Sequence, residues 1–371
     1  MFLNHNISDI PPFRRNRFIF TFKLLIITLL IITFNQNIFL ITNNAVYAEE
    51  ITIPILTYHN FTKDEGSSYV INIGEFEKQM NYLAIHNYSV ISLSELLAGL
   101  KNGQLPPKPV VITIDDGFKS NFTLAYPVLK KYNFPATLFL YTNFIEKNSY
   151  SLTWEEIREM TKNNIEIGSH TLSHCNLLKY QENENYETYL ARIRREIILS
   201  KEILESKMGG KVKHFAYPYG VYSPIIKDIV IQAGYEGILN ANSMSNNLNA
   251  DPFSLNRQII FGQSSLNSFI QTLNQRPLNV SRIFPYDGAI ESNQFIKIGA
   301  ILESDDYDAK TLSMKLGGAK VNFDFNLKNR EISFTPDSSK PLIKKSYIVN
   351  ITALGKNSSY ERKISWLVTI E

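Results

Sequence analysis

Acidic and histidine side chains occur in this chain at spacings suited to holding a metal ion. Asp115 and Asp116 end one strand-like apolar run, and His170 and His174 follow a second run just over fifty residues later. Two adjacent like charges are costly to bury unless a cation or a substrate favours negative charge there. A carboxylate with two imidazoles is a common ligand set for a catalytic zinc-type ion and leaves one coordination position for water. The four residues therefore predict a hydrolytic metal site.

Each motif also has an ordinary interpretation. The sequence Asp115-Asp116-Gly117 is typical of a turn that ends a strand, and two histidines four residues apart also occur as a solvated pair. Both motifs, however, stand at strand ends of the same predicted domain. A cluster of ionisable residues at one place is the mark of a functional site, so the joint interpretation is preferred.

The elements that would position these residues alternate between strand and helix about seven times between residues 51 and 275. Such alternation predicts an α/β domain with a parallel sheet, either open or closed into a barrel. In a barrel the functional groups gather at the carboxyl ends of the strands. Asp115, Asp116, His170 and the segment 217–220 all follow predicted strands, which favours one shared site.

Beyond Gln275 the apolar residues recur with a period of two, as in the segment 347–353. About six short strands in this last part of the chain are typical of a small β-sandwich with an immunoglobulin-like architecture. We therefore predict an α/β domain over residues 49–275 and an all-β accessory domain over residues 276–371.

Residues 1–48 have the pattern of an export segment: arginines, then an apolar run, then small residues ending at Ala48. Cleavage near Ala48 and an uncleaved membrane anchor are both open, and either predicts a protein that is secreted or held at the cell surface. A single cysteine excludes a disulfide framework, and the net charge of +3 does not indicate a nucleic-acid partner.

The two motifs resemble the first two motifs of the polysaccharide deacetylases, the NodB-homology family of carbohydrate esterases. They read Thr-Ile-Asp-Asp-Gly at residues 113–117 and Ser-His-Thr-Leu-Ser-His at residues 169–174, and Ala-Tyr-Pro-Tyr-Gly at residues 216–220 looks like a variant of the third motif. The resemblance covers about residues 51–275. It implies an irregular (β/α) barrel and the metal-dependent removal of acetyl groups from N-acetylated sugars.

The resemblance also implies roles for individual residues. Asp116, His170 and His174 would bind a divalent metal, most often zinc, with cobalt, nickel or manganese as alternatives. Asp115 would be the base that activates water. In the third motif the backbone N–H of Tyr219 would hold the oxyanion. Its neighbours Tyr217 and Pro218 would contact the substrate.

The departing amine needs a proton, and His59, at the end of the first predicted strand, is the candidate acid. An early acid histidine resembles the branch of the family that deacetylates the exopolysaccharide poly-N-acetylglucosamine. The alternative for His59 is a structural histidine that caps the strand end. His214, near the start of its strand, is expected to face away from the site.

The chain departs from the family pattern at Ala216, where an arginine that orients the base is usual. Arg257 is a candidate substitute, or else an ordinary surface arginine. The later Asp-and-Trp pocket motif is not recognisable, and Asp251 is an unconvincing candidate for it. Cys175 is interpreted as a small buried thiol, and the acidic residues of the segment 305–308 as a solvated turn.

These observations predict an exported, metal-dependent N-deacetylase whose partner is a β-linked N-acetylglucosamine polysaccharide, most simply a surface exopolysaccharide. Peptidoglycan or chitin-type glycan is the second choice of substrate, with possible association with the cell wall or membrane surface. A non-catalytic glycan-binding surface protein and a small-amide hydrolase are the other classes considered.

Overall fold

The parallel sheet expected from the alternation is present in the computed structural model, which describes residues 51–292, 296–303, 305–337, 339, 341–356 and 359–371. Strands of the α/β domain are β1 (Ile55–Tyr58), β2 (Asn60–Thr62), β3 (Val70–Asn72), β4 (Ser89–Ile91), β5 (Pro109–Asp116), β6 (Ala136–Leu140), β7 (Ile165–Ser169), β8 (His214–Ala216), β9 (Gly237–Leu239) and β10 (Gln258–Ile259). Eight of these strands form one sheet, and β2 and β3 form a separate parallel pair.

The large sheet has the order β10-β1-β5-β6-β7-β8-β9, with β4 beside the first residues of β5, and its strand pairs are parallel. A bridge between Leu239 and Leu255 brings the end of β9 close to the segment that leads into β10. The sheet therefore curls into a half-barrel whose two edges nearly meet. Strand β10 is short, with only two residues in the ladder.

Helices cover the outside of this sheet. They are α1 (Ile73–Ile85), α2 (Leu93–Asn102), α3 (Tyr126–Tyr132), α4 (Trp154–Thr161), α5 (Tyr186–Met208), α6 (Pro224–Gln232) and α7 (Leu266–Asn274). Most of them contribute apolar residues to one large core, shared with the outward-facing side chains of the strands. Polar side chains cap α1, α2, α4, α5 and α7 at their N-termini.

The inside of the curled sheet is filled in layers, because alternate residues of a strand face opposite sides. At the bottom Val111 of β5 lies in one apolar cluster with Leu96 of α2. Above them Thr57 of β1 and Thr113 of β5 share a hydrogen bond of 3.0 Å. The next inward residue of β5 is Asp115, so the alternation itself aims this carboxylate into the mouth of the half-barrel.

The last hundred residues are all β, as predicted. Their strands are β11 (Arg276–Pro277), β12 (Val280–Phe284), β13 (Ala289–Glu291), β14 (Ile298–Leu302), β15 (Ser313–Leu316), β16 (Ala319–Lys320), β17 (Asp324–Asn326), β18 (Glu331–Phe334), β19 (Ser346–Leu354) and β20 (Glu361–Ile370). They form a six-stranded and a four-stranded sheet around one apolar core. There are more strands here than the six predicted, because several are short or exposed and lack a clear alternation.

Strand β20 is buried on both faces and joins the two regions. Trp366 and Val368 lie in the core of the β region, whereas Leu367 lies in the core of the α/β domain. Residues 51–371 accordingly form one compact unit. Helix α7 ends at Asn274 and β11 begins at Arg276, and the predicted boundary at 275/276 stays a prediction. The predicted export segment, residues 1–48, lies outside the described residues, and no helix within them has the length and apolarity that a bilayer crossing requires.

Candidate active site

The two aspartates lie at the carboxyl end of β5 on opposite sides of a sharp turn. Asp115 is buried, while Asp116 has a φ of 76° and Gly117 a φ of 93°. Aspartate tolerates the left-handed region better than most residues. At Gly117 any Cβ would come within 2.8 Å of the Leu140 side chain, so a glycine is required. The turn lets two consecutive carboxylates face the same site.

The histidine loop after β7 is held in an unusual backbone conformation by α5. Thr171 and His174 have φ values of 72° and 59°. Glu196, on the inward face of α5, accepts hydrogen bonds from the backbone N–H groups of Leu172 and Ser173 at 3.1 and 2.9 Å. These charge-assisted bonds offset the strain of the loop and fix the positions of both histidines.

Three side chains from these two segments converge on one point. Single donor atoms of Asp116, His170 and His174 all lie within 4.8 Å of one another. The Nε2 atoms of His174 and His170 lie 3.4 and 3.8 Å from Oδ1 of Asp116. Atoms at such separations can share a single cation, so the geometry suits the ligand set predicted from the sequence.

The tautomer of His170 is fixed by the strand next to it. Its Nδ1 lies 2.7 Å from the carbonyl oxygen of Ala216, and an imidazole can approach a carbonyl in this way only by donating a proton. Burial lowers the pKa of His170 to about 3, so the ring is neutral at physiological pH. Its Nε2 therefore carries a lone pair directed at Asp116, the arrangement that backbone carbonyls give to metal-binding histidines.

Asp116 also fits a metal. Its Oδ1 is buried and has no hydrogen-bond partner among the described residues. Burial, and then the charge of Asp115, raise the pKa of Asp116 to about 7. A bound divalent cation would supply the missing partner and stabilise the ionised carboxylate. The donor set, the orphaned oxygen and the neutral imidazoles are together consistent with a divalent metal ion.

Asp115 is paired with Arg257. The Nη1 of Arg257 donates to Oδ1 of Asp115 at 2.7 Å, and its Nε donates to the carbonyl of Asn240 at 3.0 Å. Burial by itself raises the pKa of Asp115, but the charge of Arg257 is the largest of the effects that outweigh it and hold the pKa at about 2. Asp115 is therefore ionised, and its second oxygen is left facing the site.

Arg257 lies inside the half-barrel. It immediately precedes β10 rather than lying on a strand, and its side chain crosses the inside of the half-barrel over the ring of Phe139, 5.5 Å from the centroid. It is not a surface arginine, since only 2% of it is exposed. The guanidinium of Arg257 lies beside Asp115, whereas the carbonyl of Ala216 accepts a hydrogen bond from His170.

His59 faces Asp115 from the end of β1. Its Nε2 lies 4.0 Å from Oδ2 of Asp115, and its buried Nδ1 has no partner among the described residues. Burial lowers the pKa of His59, although Asp115 opposes this. His214, by contrast, is buried away from the site with its Nε2 3.2 Å from Oγ of Ser94. This placement of His214 agrees with the expectation.

A cleft of about 310 Å³ is lined by His59, Asp115, Asp116, His170, His174 and Arg257. Tyr217 and Tyr219 are on its wall, and the exposed ring of Tyr219 lies 4.7 Å from that of His174. Pro218, between them, is buried in the turn and is not among the lining residues, because the left-handed conformation of Tyr219 (φ 59°) turns the chain there. A direct contact of Pro218 with substrate is therefore not supported by its position.

Several residues of the site carried no recognisable signal in the sequence. Tyr69 and Phe261 form an aromatic pair at the rim, with ring centroids 5.6 Å apart, and Tyr69 lies 4.9 Å from the ring of His59. Glu196 had a weak signal, as an acidic residue within the apolar stripe of a helix. Cys175 is absent from the ligand cluster and contacts Arg192 instead.

Comparisons with known proteins agree with this site. Residues 102–238 match the family model "Polysaccharide deacetylase". Over 187 residues, or 48% of this chain, the sequence is 30% identical to the poly-beta-1,6-N-acetyl-D-glucosamine N-deacetylase of Staphylococcus aureus (strain MRSA252). The chain spans 62% and 64% of the length of the curated relatives it matches first, slightly under two thirds.

Two solved structures extend the comparison. The deacetylase PplD of Streptococcus pyogenes, in complex with acetate, is 27% identical with a TM-score of 0.53, covering 60% of this chain and 99% of its own. IcaB from Ammonifex degensii is 25% identical with a TM-score of 0.53, covering 60% of this chain and 95% of its own. These matches agree with the family and branch expected from the motifs.

Proposed function

We propose that this chain is a metal-dependent hydrolase that removes N-acetyl groups from a β-linked N-acetylglucosamine polysaccharide, and the match of residues 102–238 to the polysaccharide deacetylase family model supports this. One observation carries the proposal. Asp116, His170 and His174 offer three donor atoms within 4.8 Å of one another, with Asp115 and His59 directly beside them. A ligand set, an ionised base and an acid candidate thus line the same cleft.

A divalent cation, most simply zinc, would be held by Asp116, His170 and His174. When bound it would lower the pKa of water from about 15.7 towards about 7 and polarise the amide carbonyl. Asp115 takes the proton of the attacking water, since Arg257 holds one of its oxygens and leaves the other free for this task. The backbone N–H of Tyr219 is the proposed oxyanion donor.

His59 delivers the proton that the departing amine needs. Its ring lies within the cleft near Oδ2 of Asp115, whereas Arg257 holds Oδ1, and its Nδ1 has no competing partner among the described residues. Burial lowers the pKa of His59, and the charge of Asp115 opposes this.

The rim of the cleft fits a sugar polymer. Three aromatic residues around the opening are exposed: Tyr69 by 50%, Tyr219 by 65% and Phe261 by 44% of their surface. Flat aromatic faces with a polar edge are suited to the apolar faces of sugar rings. Since the Staphylococcus relative is named for poly-β-1,6-N-acetylglucosamine, we propose the exopolysaccharide as substrate before peptidoglycan or chitin-type glycan.

The remaining parts of the proposal concern the ends of the chain. Residues 1–48 would direct the protein out of the cell or hold it at the cell surface, on the strength of their basic and apolar pattern. The C-terminal β region would be an immunoglobulin-like accessory sandwich. Its two sheets around one core support this, while the topology of the strands is left open.

The test is acetate release from N-acetylglucosamine oligomers by the purified full chain. We expect release with zinc or cobalt, none after chelation, and faster turnover of β-1,6-linked than of β-1,4-linked oligomers of equal length. The Asp115→Asn variant, which keeps the size of the side chain and loses the base, sets the background. Release no higher than this background from either linkage would contradict the proposal and favour a glycan-binding protein without activity.

A further inference from the structure

A polar cluster lies where the β region meets the α/β domain. Asp287, just before β13, accepts hydrogen bonds from the hydroxyl of Tyr222, from Nδ2 of Asn242 at 3.2 Å and from the backbone N–H of Leu367 at 2.8 Å. Tyr222 and Asn242 belong to the α/β domain, and Leu367 belongs to β20. One carboxylate of the β region thus binds both regions together.

Most of the cluster is buried, and Asp287 itself is half-buried. Asn242 is completely buried and Tyr222 is nearly so, and the backbone next to Asp287 fits closely against Tyr222, since a Cβ on Gly288 would come within 3.0 Å of that ring. Burial raises the pKa of Asp287, and its three donors lower it. Nδ2 of Asn242 also donates to the hydroxyl of Tyr222 at 3.2 Å, so Asp287 orients the Asn242 amide both directly and through Tyr222.

From Asn242 a chain of hydrogen bonds leads to the proposed base. The backbone N–H of Asn242 donates to Oδ1 of Asn240 at 2.9 Å. The carbonyl of Asn240 accepts from Nε of Arg257 at 3.0 Å, and Arg257 donates to Asp115 at 2.7 Å. Asn240, Asn242, Arg257 and Asp115 each expose at most 2% of their surface. Dense packing leaves such a series of buried groups little freedom to move independently.

The same loop forms part of the cleft wall. Ala241, between the two asparagines, lines the cleft, and the backbone of Gly220 passes so close that a Cβ there would lie 2.4 Å from the Cβ of Ala241. A shift of the loop would therefore disturb Arg257 on one side and the turn that carries Tyr219 on the other.

We propose that Asp287 is a positioning residue of the active site, through which the β region fixes the loop 240–242 and thereby the direction of Arg257 and Asp115. The role rests on the proposed deacetylation, in which Asp115 is the base. The β region is then a working part of the enzyme, because the site lacks one of its supports without it. Spatial continuity alone does not demonstrate coupling, so the test measures it directly.

The test uses Asp287→Ala in the full chain, with Asp306→Asn as control. Asp306 is also an acidic residue of the β region, and its ion pair with Arg362, at 2.8 Å, lies within that region. We expect Asp287→Ala to lower kcat about tenfold or more and to change KM by less than about twofold. About tenfold is the lower end of the losses found when a residue that supports the residues of a site is replaced. Asp306→Asn should leave both constants unchanged.

A double-mutant cycle separates positioning from general destabilisation. In an Arg257→Lys background, Asp287→Ala should lower kcat by less than about twofold, because the arginine that the loop positions is already absent. An equal fall in both backgrounds would overturn the proposal. If Asp287→Ala does not fold, Asp287→Asn, which keeps the side-chain volume, is measured instead. A kcat equal to that of the wild type in this variant would also overturn the proposal.

A second readout does not require activity. The Nε–H proton of Arg257, identified by its loss in Arg257→Lys, should exchange slowly with solvent in the wild type and faster in Asp287→Ala, whereas Asp306→Asn should not change it. Faster exchange in a protein that releases no acetate would retain the positioning role and contradict the proposed function. Unchanged exchange in Asp287→Ala would overturn the positioning role whatever the activity.

Discussion

Replacing Arg257 by methionine removes the guanidinium that holds Asp115 while keeping an unbranched side chain of similar length. Both partners are almost fully buried, at 3% and 2% side-chain exposure, so solvent does not screen the loss. Removing one member of a buried ion pair leaves an uncompensated charge and costs about 3–5 kcal/mol. For a domain of this size, that corresponds to a fall in Tm of roughly 6–20 °C.

The pH dependence gives the prediction a sign. The pKa of Asp115 is lowered to about 2 in the folded protein, against about 3.9 in an unfolded chain. The ionised form of Asp115 therefore contributes to the stability of the folded protein at pH values above the pKa of the unfolded chain. This contribution is lost as the pH falls towards 2. In Arg257→Met the main cause of the lowered pKa is absent. The difference in stability between wild type and variant should thus be large at neutral pH and narrow in acid.

The assay is thermal and urea unfolding of the metal-free full chain, with a chelator present so that no cation contributes. Arg257→Lys is the matched control, because it keeps the charge and loses the forked geometry, and its loss should be about 1–3 kcal/mol. The reasoning would be refuted if wild type and Arg257→Met were equally stable at neutral pH. It would also be refuted if their difference in stability stayed the same across the acid range.

Three further predictions concern the site. His59→Ala should lower kcat by about 10²–10⁴-fold with unchanged metal content, measured by elemental analysis, and unaltered turnover would remove His59 from the mechanism. Tyr69→Ala and Phe261→Ala should each raise the KM for oligomers about 2–10-fold with little effect on kcat, and an unchanged KM in both would exclude the rim from substrate binding. Glu196→Gln should weaken zinc binding about 10–100-fold because the histidine loop loses its anchor, whereas Glu202→Gln, on the exposed face of the same helix, should not; equal affinities would contradict this role.

The fold and the converging ligands were accessible from sequence because both depend on local regularities. Strand–helix alternation predicts a parallel sheet, and the carboxyl ends of its strands meet at one edge. Asp116, His170 and His174 lie at such ends, so knowing the order of the elements was sufficient to bring them together. The twofold period of residues 347–353 likewise predicted β structure, and β19 covers these residues.

The remaining features depend on how far the sheet curls and on long-range packing. Arg257 reaches Asp115 from the start of β10 because the half-barrel is narrow enough for one side chain to cross it, which no spacing reveals. Tyr69 and Phe261 are distant in sequence and meet at the rim. Asp287 looks like an ordinary loop carboxylate until β20 brings it against Asn242, so its position follows from the contact between the two regions.

The central claim, that Asp116, His170 and His174 jointly hold one divalent cation, is tested most directly by titrating the metal-free full chain with cobalt. The account predicts one ion per chain, with the visible absorption of a bound cobalt centre, and a large loss of affinity in each of Asp116→Asn, His170→Ala and His174→Ala. Wild-type affinity and stoichiometry in all three variants would contradict it.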